Sequence, residues 1–91
     1  MIDIVLGSPT KIKIILTLWR YGEMNVSELV RRMGSAQRAT VGQLEQLVRY
    51  GVVEVRYIGR IKLYKLSRDP AIQHLAEVLA TVDQALADTT H

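Results

Sequence analysis

"VEVRYIGRIKLYKL", residues 53–66, is the stretch whose reading decides the fold. Apolar and basic residues interleave on either side of Ile58-Gly59, in a chain with almost no other strand-like sequence. This pattern reads as a β-hairpin. A lone two-stranded hairpin is marginal in water, so the rest of the chain must supply apolar surface for it. The basic tip is a separate matter, because pairing two strands does not require it.

Working outward toward the N-terminus, Gly51 stops a helix expected over about residues 35–50, with Val41, Leu44, Leu47 and Val48 as its apolar stripe. Ahead of it, Ser27 is the expected cap of a brief helix that turns Leu29, Val30 and Met33 inward and ends at Gly34. "EMNV" is a short extended piece. Ser8-Pro9 opens an earlier helix, because Ser caps and the missing N–H of Pro costs nothing in a first turn. Ile12, Ile15, Leu16 and Trp19 are its expected buried face, and Gly22 ends it. Beyond the hairpin, Asp69-Pro70 opens a last helix running to about Thr89. Helix, short strand, helix, helix, hairpin, helix is therefore the expected order. The fold class is mainly α with one small hairpin, and the helices provide what the hairpin packs on.

Ninety-one residues make one small domain. At 48% hydrophobic and 23% charged, the composition is that of an ordinary soluble globular protein. No apolar run is long enough to span a bilayer, and "MIDIVLGSPT" lacks the basic start and apolar stretch of a secretory signal. A cytoplasmic location without membrane attachment is the expectation. The absence of cysteine excludes disulfides, thiolate metal sites and thiol catalysis. The net charge of +3 conceals a division. Residues 1–68 hold twelve Lys/Arg against five Asp/Glu, a net of +7, whereas residues 69–91 hold four acids and no Lys or Arg, a net of −4. A basic body favours a polyanionic partner, and the acidic final segment does not.

"LGSPTKIKIILTLWRYGEMNVSELVRRMG", "LEQLVRYGVVEVRYIGRIKLYKLS" and the closing helix together resemble the winged-helix repressors of the ArsR type, with the MarR-type proteins as cousins. The resemblance runs from about Leu6 to Leu79. It is carried by "GSPTKIKII" at the entry and by "L…LV..G.V" leading into a hairpin with Gly-Arg at its tip. It implies a winged helix-turn-helix, in which the helix over about 35–50 reads DNA and the hairpin is a wing along the DNA backbone. It also implies that an added C-terminal helix joins two copies. Two departures stand out. "SAQRATVGQLEQL" sets Thr-Val one position nearer the following leucine than is usual and carries a mid-helix glycine. The Cys pairs and terminal His/Asp clusters of the family's metal sensors are missing, so metal sensing does not carry over and no cofactor is expected.

For the DNA-reading helix, Ser35, Gln37, Arg38, Ala39, Thr40, Gly42, Gln43 and Gln46 are the candidate contacts. Arg takes guanine and Gln takes adenine in paired hydrogen bonds. Ala39 and Gly42 carry almost no side chain, and a mid-helix Gly costs about 0.5–1 kcal/mol relative to Ala. Close approach of backbone to the groove floor would offset that. Drift or a packing contact explains Gly42 equally well. For the wing, Arg56, Tyr57, Arg60 and Lys62 are the candidates, since long cations on a projecting ribbon suit phosphates and the minor groove. Basic residues also protect exposed strand edges, and the mixed faces leave the strand register unreadable.

In the last helix, Ile72, Leu75, Leu79, Val82 and Leu86 repeat at spacings of 3 and 4, a heptad seam. Ala71, Ala76, Val78 and Ala85 widen the apolar arc, so the helix should pack partly on its own first helix and partly on a partner copy. Enzyme chemistry has little support. His74 lies one helical turn from Glu77, two weak ligands that do not make a metal site, and His91 stands at the terminus. The expected organisation is a DNA-binding unit over 1–68 and a dimerisation helix over 69–91 in one compact body. The expected function is sequence-specific binding of double-stranded DNA by a homodimeric transcriptional repressor. A winged-helix protein-interaction module and a non-specific architectural DNA binder remain as alternatives.

Overall fold

The computed structural model describes residues 1–89, so Thr90 and His91, the end of the expected 69–91 segment, lie outside the described residues. In chain order the elements are α1 (Ile2–Leu6), α2 (Pro9–Tyr21), α3 (Val26–Met33), α4 (Gln37–Arg49), β1 (Val53–Ile58), β2 (Ile61–Leu66) and α5 (Pro70–Thr89). The expected order stands, with one addition. The five-residue α1 drops Val5 into the core and leaves Ile2, Ile4 and Leu6 exposed. No repeating pattern announces so short a helix.

α2 is the hub, packing on α1, α3, α4, α5 and β2. Ser8 caps it as expected, its Oγ accepting from the Lys11 N–H at 3.2 Å. The buried face, however, is Lys11, Ile14, Ile15 and Leu18, with Ile12, Leu16 and Trp19 only half-buried. "KIKIILTLW" is apolar around much of its circumference, and neighbours on several sides decide which stripe is covered most. In α3 the cap is Asn25 rather than Ser27, with Asn25 Oδ1 accepting from the Glu28 N–H at 2.9 Å. Leu29 is fully buried there, and Val30 and Met33 are half-buried. Gly34, at φ 63° in the left-handed region, lets α3 stop and the chain turn toward α4.

α4 begins at Gln37, two residues later than expected, because Ala36 is still extended and Ser35 lies outside the helix. Its inward face is Thr40, Leu44 and Leu47. Val41 and Val48 are half-buried at one flank. The shift has a local cause. Thr40 Oγ1 donates to the Ala36 carbonyl at 2.9 Å and lies 2.7 Å from Ser35 Oγ, so its hydroxyl goes inside with its hydrogen bonds made.

The hairpin pairs antiparallel from Val53↔Leu66 to Ile58↔Ile61, with Gly59-Arg60 as its two-residue turn. Gly59 has φ +60° while Arg60 does not enter that region, which is the type II′ pattern that matches strand twist. Its base is anchored by buried Val53, Tyr64 and Leu66. Met24 joins as a third, one-residue strand. It exchanges both backbone hydrogen bonds with Tyr64, at 2.8 and 3.0 Å. That piece is the expected extended "EMNV".

α5 starts where Asp69 accepts from the Ala71 N–H through its carboxylate and from the Gln73 N–H through its carbonyl. Ala76 is fully buried, and Ile72 and Leu79 pack on the core from the half-buried rim. Arg20 ties α2 to Asp83 at 2.8 Å. From residue 81 to 89 every residue is exposed. No helix among the described residues is long and apolar enough to cross a membrane.

Candidate nucleic-acid interface

The loop at Gly34 sets α4 beside α3, and the hairpin returns so that the wing tip flanks α4. Val41 and Glu45 of α4 line one depression with Arg60, Ile61 and Lys62 of the wing and Asn25, Val26 and Ser27 at the start of α3. A neighbouring depression holds Glu45, Val48, Arg49 and Lys62. With Thr40, Leu44 and Leu47 inward, helical steps of 100° put Arg38, Gly42, Glu45 and Arg49 on the outermost ridge. All four are exposed. One exposed helix ridge and one basic ribbon thus stand side by side.

Electrostatics divides the cations. Arg20 pairs with Asp83, Arg31 and Arg32 with Glu28, Arg56 with Glu23, and Arg68 with Glu54. Among the described residues, Lys11, Lys13, Arg38, Arg49, Arg60, Lys62 and Lys65 join no ion pair. Lys11 is buried and Lys65 half-buried, so four of the five exposed unpaired cations stand on α4 and the wing, with Lys13 on α2 as the fifth. Glu45 is the acidic residue of α4.

The candidate contacts separate into three groups. Gln37, Arg38, Ala39 and Gly42 are exposed on α4, and Gln46 is half-buried. A Cβ built on Gly42 would meet nothing within 4 Å, so internal packing does not demand glycine there. Tyr57 and Arg60 are exposed on the wing, and Lys62 Nζ stands 5.7 Å from the Tyr57 ring centre. The Lys62 pKa is raised, first by Tyr64 and then by the Tyr57 hydroxyl, so the amine is firmly cationic.

Internal bonds set four further candidates apart. Thr40 is 0% exposed and hydrogen-bonded within the fold, so it cannot reach a base. Ser35, its partner, is half-buried in the same turn. Arg56 is committed to Glu23 through bonds of 2.6 and 2.7 Å, which bracket the wing against the segment joining α2 and α3. That guanidinium holds the Glu23 carboxyl below the usual carboxylate range and is itself raised in return. Gln43 is turned toward α2 rather than fully outward, accepting from Lys11 Nζ at 2.6 Å and Ser8 Oγ at 3.1 Å. A signal for this last contact was present. Lys11 shares the 3-4-7 spacing of Ile14, Ile15 and Leu18, and a cation on an inward face needs an acceptor.

In α5 the expected seam splits. Ile72, Leu75 and Leu79 are half-buried, whereas Val82 and Leu86 are 49% and 61% exposed. No group of three or more potential metal ligands occurs among the described residues.

No curated protein matches the chain. Solved structures do. HlyU from Vibrio cholerae is 25% identical, with a TM-score of 0.79 over 89% of this chain and 86% of that one. The transcriptional repressor BigR from Xylella fastidiosa is 29% identical, with a TM-score of 0.79 over 91% and 80%. A DNA-binding transcriptional regulator predicted in E. coli shares the fold at 20% identity, with a TM-score of 0.80 over 89% and 84%. The MarR family model matches residues 8–57, from the cap of α2 into the first wing strand. That match spans more than half of the sequence and contains the whole helix-turn-helix, and the chain belongs to the MarR family of sequence-specific DNA-binding transcriptional regulators.

Proposed function

We propose that the protein is a cytoplasmic repressor that binds operator DNA as a homodimer, using residues 1–68 on DNA and residues 69–91 between copies. One observation carries the reading: of the five exposed cations without an internal carboxylate, Arg38, Arg49, Arg60 and Lys62 stand on α4 and the wing, and Lys13 on α2 is the exception. Arg38, Gly42 and Gln46 address the major groove, with Gln37 and Ala39 beside them. Arg60 and Lys62 take backbone phosphates, Tyr57 packs along the sugar edge, and Arg49 adds a further cation.

The dimer rests on the uncovered end of α5. Residues 81–89 are exposed throughout, although Asp83 reaches back to Arg20 of α2, and a helix end of that length is marginal without packing. Val78, Val82 and Leu86 offer the apolar surface, at 43%, 49% and 61% exposure. A second copy of the same acidic helix covers it about a two-fold axis, leaving both basic edges free for adjacent half-sites.

Binding-site selection from random DNA tests the whole reading. A palindromic motif is the expected result. Affinity without any preferred sequence would make the protein an architectural binder, and no affinity at low salt would point to a protein partner. If about six to eight phosphates are neutralised across the dimer, log K should fall with log salt at a slope of about −5 to −7.

A further inference from the structure

Gln43 does not hang free beside Gly42. Its Oε1 accepts from Lys11 Nζ at 2.6 Å and from Ser8 Oγ at 3.1 Å. Lys11 is only 4% exposed, and its ammonium group has donors alone. The amide atom against it must therefore be the oxygen, because the flipped amide would set donor against cation. Both lone pairs of that oxygen are then occupied. Nε2 makes no hydrogen bond among the described residues, and no side-chain nitrogen or oxygen is buried without a partner. The amide NH2 of this half-buried side chain is thus unpaired and not sealed from solvent, on the flank of α4 that carries Ala39 and Gln46 one turn away.

Resting on the DNA-reading function above, we propose that Lys11 is a specificity-determining positioning residue that makes Gln43 a donor-only reader of guanine. A free glutamine selects adenine by giving Nε2–H to N7 and receiving N6–H on Oε1. Here Oε1 is taken, so adenine would set its amino group against the amide NH2. Guanine presents two acceptors, O6 and N7, and a single NH2 serves both. Thymine, with O4 alone, ranks second.

The test measures base preference rather than affinity alone. Duplexes carrying each base at each half-site position are titrated with the wild type, Gln43→Ala, Gln43→Glu, Lys11→Met and Lys11→Arg, each first checked for a cooperative melt. Gln43→Ala identifies the position by relaxing it. The wild type should prefer guanine there over adenine by roughly tenfold. Gln43→Glu keeps a partner for Lys11 but presents only an acceptor outward, so the preference should move to cytosine, whose N4 donates. Lys11→Met frees Oε1, and adenine should gain at that position and no other. Lys11→Arg should retain guanine. Should Lys11→Met fail to fold, Gln43→Glu decides alone. The proposal is overturned by a position that prefers adenine in the wild type, by Gln43→Glu leaving the preference unmoved, or by Gln43→Ala weakening all sequences alike. Failure of the DNA reading itself looks different: no protein, wild type included, enriches any sequence, and both ideas then fall.

Discussion

Leu86→Glu separates dimerisation from folding. Leu86 is 61% exposed in the single chain. Full burial of a leucine contributes about 1.5–3 kcal/mol, so the part still uncovered is worth roughly 1–2 kcal/mol per copy and roughly 2–4 kcal/mol across a two-fold interface. The substitution removes that and adds a carboxylate to a face already flanked by Asp83 and Asp88. The dimer constant should weaken by at least about thirtyfold. The monomer should keep its melting behaviour to within about 0.5 kcal/mol, because the position touches little of its own core. Leu79→Glu makes the contrast. Leu79 packs against the buried core, so it should destabilise the monomer as well. Sedimentation, melting and titration of one sample with a full operator and with a single half-site give the necessary comparison. A folded Leu86→Glu protein that stays dimeric at micromolar concentration would place the interface elsewhere. A folded monomer with undiminished operator affinity would show that dimerisation is not how the protein reads DNA.

Arg38→Ala should cost about 1–3 kcal/mol on the operator and relax one position per half-site, whereas Arg60→Ala should weaken all sequences alike and flatten the salt slope. Equal loss on cognate and random DNA from Arg38→Ala would mean that it grips backbone. Gly42→Ala has room for its methyl group and should stabilise the free protein by about 0.5–1 kcal/mol, while lowering operator affinity if α4 presses its backbone to the groove floor. Unchanged affinity would reduce Gly42 to a neutral position. The Glu23 carboxyl is held below its ordinary value of 4.5, chiefly by its hydrogen bond from Arg56. Its contribution to stability is therefore complete above that value and is lost as pH falls through the lower folded one. Glu23→Gln should flatten that part of the acid limb in melting curves taken across it. An acid limb identical to the wild type would show that the Glu23–Arg56 bracket does not stabilise the wing.

What could be read from the sequence is what local chemistry controls. Ser8-Pro9, Gly34, Gly51 and Asp69-Pro70 set the helix limits to within about two residues, because caps and left-handed turns depend on a few neighbouring atoms. The charge division between residues 1–68 and 69–91 was plain for the same reason, since it is a property of composition. Tertiary structure decided which face of each helix went inside. Thr40 was buried in place of Val41 because Ser35 and Ala36 satisfy its hydroxyl, a contact that hydropathy cannot show. In α2, apolar around much of its circumference, packing partners on several sides chose Ile14 and Leu18 for full burial over Ile12 and Leu16. Only the fold could sort the cations. Arg56 and Arg60 look alike in the sequence, but Glu23 lies 33 residues from Arg56 and reaches it only once the wing has docked. Charge close in sequence is a matter of composition. Charge left free for DNA is a matter of which carboxylates the fold brings within reach.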